Sequence, residues 1–111
     1  MPVKPGEVYY LDKEGHRLRE SQSGRYVLVL RVAGGVADIG FFSSRFDLFS
    51  ARQDVPIYEE WQEFPATGLK VSCYLVHGET EQIAVSELKD HRGKVEGAFK
   101  KLVEDWWGEP L

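Results

Sequence analysis

Arg25 stands where the polar stretch SQSG gives way to the strand-forming run RYVLVLRV. A guanidinium held at such a junction matches the geometry of phosphate, to which it can give two parallel hydrogen bonds. Local charge favours that use. Residues 1–31 carry six Lys/Arg (Lys4, Lys13, Arg17, Arg19, Arg25, Arg31) against four acids, so the rest of a chain of net charge −4 must sum to −6. The overall balance argues against a protein that coats nucleic acid nonspecifically, and a local anion site near Arg25 remains. The alternative for Arg25 is a solvated ion pair with Glu7 or Glu20, worth little at a surface.

The other chemistry-bearing residues are dispersed. His16, His77 and His91 show no close metal-ligand spacing, and a single cysteine, Cys73, excludes an internal disulfide. No metal or cofactor is expected. Cys73 lies within VSCYLV and reads as core, where a thiol behaves as a small hydrophobe. His16 falls in a polar loop, His91 in the turn-like KDHRGK, and Ser43 and Ser44 follow two phenylalanines, where a hydroxyl can cap a strand end.

Elements must position these groups. EVYYLD (7–12) suits a strand, residues 13–24 a long loop, and RYVLVLRV (25–32) a strand covered on both faces. Ala33-Gly34-Gly35 permits a reversal into VADIGFFSS (36–44), with Gly40 marking a bulge or close approach. Short strands are predicted at 55–61, 71–77 and 81–85, while the acidic stretch 54–63 reads as a solvated edge. Val95, Phe99, Leu102 and Trp106 recur at helical spacing, which predicts one amphipathic helix over 94–107 ended by Gly108 and Pro110. Adjacent Trp106 and Trp107 cannot both enter the core from one helix face, so the second is expected over a loop or a partner. The result is a single domain over 1–111, a small, mainly antiparallel α+β barrel. With no apolar span and no signal-like N-terminus, the expected location is the cytoplasm, without membrane contact.

In order, KPGEVYYLD, GRYVLVL, FFSSR, TGLKVSCYLVH and SELKDHRGKV...LVEDWWG resemble the PemK/MazF-like toxins of type II toxin-antitoxin systems over roughly residues 4–108. The resemblance implies an SH3-like barrel with a terminal helix and a metal-independent endoribonuclease that cuts single-stranded RNA. It also implies a homodimer neutralised by an antitoxin. The family's loop arginine falls on Arg25, its strand-end Ser or Thr on Ser43, and its later acidic position on His77. These three are the implied catalytic residues, with Arg45, His16 and Tyr26 as substrate-binding residues.

That chemistry is self-consistent. The RNA's own 2′-hydroxyl is the nucleophile, so the protein must move protons and stabilise charge on the phosphorus oxygens. Arg25 and Ser43 would donate to the phosphate, His77 would exchange a proton near neutrality, and Tyr26, Phe41 or Phe46 would stack on bases. The chain has Tyr26 where the family commonly has proline, Leu75 where some members have a basic residue, and GETEQ for a QLRT-like run. Glu79 and Glu81 there are expected to repel phosphate. These departures define the alternative, a non-catalytic SH3-like binding module that has lost the nuclease site.

Overall fold

A computed structural model describes residues 2–11 and 24–111. Six strands form one antiparallel sheet: β1 (Glu7–Leu11), β2 (Arg25–Ala33), β3 (Val36–Ser43), β4 (Val55–Ile57), β5 (Cys73–Ala84) and β6 (Asp90–Lys94). Their order is β4-β5-β3-β2-β1-β6, and the sheet curls into a half-barrel. Among the described residues two α-helices accompany it, the single turn α1 (Phe64–Thr67) and the longer α2 (Gly97–Trp107).

Alternation along the central strands sends side chains to opposite faces and generates two cores. Val8, Leu28, Leu30, Phe42 and Leu75 pack with Phe99 and Val103 of α2. On the other face Tyr9, Leu11, Val27, Val29, Ile39 and Phe41 pack with Leu88. Val27 to Leu30 are therefore all buried, as a strand covered on both sides requires. Each such apolar side chain contributes about 1.5–3 kcal/mol when fully buried.

Several expectations need correction. Residues 71–77 and 81–85 are not two strands: Cys73–Ala84 is one strand of 12 residues. Its pairing with β3 shifts register, because Phe42 faces Leu75 and Gly40 faces Thr80. Residues 76–79 therefore bulge out opposite Phe41 alone, and Gly78 takes φ +79° to allow it.

The predicted strand at 55–61 ends at Ile57, since the Trp61 amide turns back to donate to the Tyr58 carbonyl. The C-terminal helix begins at Gly97 and not at 94, because Lys94 pairs with Glu7 and the Val95 amide donates to the Gly6 carbonyl. Its first turn lacks a capping residue of its own. Glu63 supplies the acceptor, its Oε2 taking the Ala98 amide at 3.1 Å. At the other end Gly108, at φ +92°, donates to the Glu104 carbonyl and closes the helix.

His91 lies in β6 and not in a turn; its ring meets Tyr9 edge-on and its Nε2 is 3.5 Å from Glu7. Both Trp106 and Trp107 are half-buried against the same core cluster, with ring centres 6.5 Å apart. Trp106 Nε1 donates to the Gln53 carbonyl and ties α2 to the segment before β4. The acidic stretch 54–63 is partly solvated, with Glu59 and Glu60 exposed, and several of its carboxylates also hold backbone amides. Asp54 accepts the Ser50 and His77 amides, Glu59 accepts the Ser72 amide, and Glu63 serves α2.

Candidate functional site

The ends of β2 and β3, the bulge in β5 and the chain before β4 surround a cleft of about 730 Å³. Arg25, Tyr26, Ser43, Arg45 and His77 all line it. Topology explains the convergence. β3 pairs with β2 on one side and β5 on the other, so the start of β2 and the end of β3 meet beside the bulge. His16 lies outside the described residues.

Arg25 is largely buried, with its side chain 21% exposed. Its Nη2 donates to the Phe42 carbonyl at 2.9 Å, and the guanidinium carbon lies 5.0 Å from the Phe41 ring centre. Its Nη1 lies 2.8 Å from Glu79 Oε1. That carboxylate oxygen is shielded from solvent and has no aligned hydrogen bond among the described residues, so the contact is a pairing of charges. The expected pairing with Glu7 is not formed. Glu7 instead accepts the Tyr9 hydroxyl and approaches His91. Glu20 lies outside the described residues.

Ser43 Oγ accepts the Arg45 amide at 3.1 Å, which leaves its own proton to be donated elsewhere. The Tyr74 hydroxyl holds the Arg45 carbonyl at 2.9 Å, so the backbone at residue 45 is fixed from both sides. The Arg45 side chain is exposed and bonded to Asp47 through two nitrogens, at 3.2 and 3.0 Å. These hydrogen bonds hold the guanidinium above its ordinary pKa and the Asp47 carboxyl below its own. His77 projects from the bulge with an exposed ring, and its amide donates to Asp54 Oδ1 at 2.8 Å. It does not end a strand.

Tyr26 faces the cleft from the side opposite Arg25 in the strand alternation. It meets Tyr10 edge-on, and the Arg92 guanidinium lies 5.1 Å from the Tyr10 ring centre and 5.8 Å from that of Tyr26. Tyr26 thus leaves Arg25 directed at the β3 backbone and the bulge. Phe46 is engaged in an aromatic cluster: Phe49, Tyr58 and Tyr74 surround it with ring centres at 5.3 to 5.7 Å. Phe41 is fully buried. Cys73 sits beneath the cleft, and burial pushes its thiol up to about 12.

Three contributors carried no signal in the sequence, Lys70, Leu48 and Val71, and Glu79 plays a part other than the repulsion expected of it. Lys70 adds a third cation to the lining, Leu48 and Val71 supply exposed apolar surface on the rim, and Glu79 occupies Arg25. The lining carries three cations (Arg25, Arg45, Lys70) against two carboxylates (Asp54, Glu79) in a chain of net charge −4. One of those carboxylates, Asp54, is committed to backbone amides. The arrangement gathers guanidinium, ammonium, hydroxyl and an exposed imidazole beside an apolar rim, groups able to contact an anion that competes with Glu79 and Asp47. No protein-family model matches this chain, and no curated protein matches it.

Proposed function

We propose that this chain is a PemK/MazF-like toxin, a metal-independent endoribonuclease acting on single-stranded RNA as a homodimer under the control of an antitoxin. The observation that supports the reading is the assembly of Arg25, Ser43, Arg45 and His77 around one cleft, although they come from distant parts of the chain. In the proposed reaction Arg25 and the Ser43 hydroxyl donate to the scissile phosphate while the RNA 2′-hydroxyl attacks phosphorus. His77 exchanges a proton with the reacting oxygens. The bond to the 5′-oxygen breaks, leaving a 2′,3′-cyclic phosphate and a 5′-hydroxyl.

The test is incubation of the purified protein with mixed-sequence RNA in EDTA. Expected are cyclic-phosphate ends, no cutting of 2′-O-methyl RNA, and a loss of about 100-fold or more in Arg25→Ala. Intact RNA at high protein concentration, or equal cutting by Arg25→Ala, removes the catalytic assignment.

The contact between Arg25 and Glu79 favours a second reading, a non-catalytic SH3-like binding module whose phosphate site has been closed by its own carboxylate. Such a module would bind RNA or an acidic partner and release it uncut.

A further inference from the structure

We propose that Glu79 is a positioning residue, a latch that occupies the anion-binding edge of Arg25 until a phosphodiester displaces it. The proposal rests on the RNA reading above for the identity of the ligand. Both terminal nitrogens of Arg25 are engaged, Nη2 by the Phe42 carbonyl and Nη1 by Glu79. A phosphate that approaches the edge carrying Nη1 therefore meets the Glu79 carboxylate there and has to displace it. The Phe42 carbonyl belongs to the ladder of β3 and cannot leave. Glu79 can.

It is carried by the 76–79 bulge, outside the regular pairing of β3 with β5. The bulge is anchored at both ends. Asp54 holds the His77 amide at one end, and Thr80 resumes pairing with Gly40 at the other. Between these anchors Gly78 has φ +79°, and a Cβ built there would meet nothing within 4 Å. Open space surrounds the residue that must turn for Glu79 to swing. The Glu79 side chain is 36% exposed and its Oε1 is held by charge pairing without an aligned hydrogen bond, so the carboxylate can move into water when a ligand supplies the negative charge.

The test uses Glu79→Gln, which keeps size and shape and removes the charge, in two measurements on the intact chain. In the first, phenylglyoxal modification is followed residue by residue by mass spectrometry. Arg25 is expected to react several-fold faster in Glu79→Gln than in the parent, with exposed Arg31 unchanged in both. Equal Arg25 rates in the two proteins overturn the latch, whatever happens with RNA.

The second measures the affinity of a 2′-O-methyl RNA oligomer by fluorescence anisotropy. Binding is expected to tighten about tenfold on removing the charge, and not at all when Glu79→Gln is made in an Arg25→Ala background. A gain that persists without Arg25 overturns the latch and points to nonspecific charge. Deprotection of Arg25 without RNA binding by either protein sustains the latch and overturns the RNA reading.

Discussion

Two buried side chains set how this protein responds to alkali. Burial, then the hydrogen bond and charge of Glu7, push the Tyr9 hydroxyl up to about 12 from 10.0, and burial pushes the Cys73 thiol up to about 12 from 9.0. The unfolded chain thus releases both protons first. Stability is intact below pH 9 and falls as pH rises towards 12. Tyr9→Phe is expected to cost about 1 kcal/mol at neutral pH, through the lost bond to Glu7, and to flatten the decline above pH 10. Thermal unfolding midpoints of the two proteins across that range check it; parallel curves would contradict the assignment.

At this scale the site was partly legible. Arg25 announces itself by its place at a loop-to-strand junction, and Ser43, Arg45, Tyr26 and His77 do reach the same cleft. The partner of Arg25 was not legible, because Glu79 owes its place to a register shift, and read in isolation its charge suggested only repulsion.

Among the elements, legibility followed apolar pattern. The β2–β3 hairpin is written in two alternating runs around Ala33-Gly34-Gly35, and α2 in the spacing of Val95, Phe99 and Leu102, although Leu102 itself is exposed and Val103 is buried instead. Strand β6, sequence DHRGK, carries no such pattern, since it is held at the sheet edge by backbone pairing with β1. Helix α1 is too short for a period to show.

Two glycines distinguish packing from conformation at this level. Gly68 and Gly78 both have positive φ, +73° and +79°, so alanine at either meets a left-handed backbone cost of about 1–2 kcal/mol. Only at Gly68 would the new Cβ also strike backbone, 2.2 Å from the Arg92 carbonyl oxygen, where α1 crosses β6. Gly68→Ala should shift the urea midpoint at least about twice as far as Gly78→Ala, the excess being an overpacking cost of about 1–3 kcal/mol. Equal shifts would mean that the crossing relaxes freely.

For the molecule as a whole, the cleft lining carries one more cation than carboxylate on an anionic protein, and two of its cations are paired, Arg25 with Glu79 and Arg45 with Asp47. Among the described residues no helix is long and apolar enough to cross a membrane. Three cations line the cleft, so RNA binding should lose affinity with salt at a slope of about −2 or shallower on logarithmic axes, from about −0.7 for each phosphate neutralised on a single strand. Titration of 2′-O-methyl RNA across ionic strengths measures it, and a much steeper slope would place the binding surface beyond this cleft. The α+β class and the single helix closing an antiparallel sheet could be read from the order of patterns. The curl of the sheet could not, because it depends on bulges and on which distant strands become neighbours.

One such neighbourhood governs how the protein is made. Glu7 pairs with Lys94, so the second strand to flank β1 is synthesised only after the other strands of the sheet. At about 5–20 residues per second, on the order of 10 s separate the appearance of the two strands on the ribosome. Throughout that interval one edge of EVYYL stays open and can pair with a strand of another nascent chain. Yield during rapid expression should therefore depend on how crowded the nascent chains are, and spacing them by slower initiation should favour the correctly closed sheet.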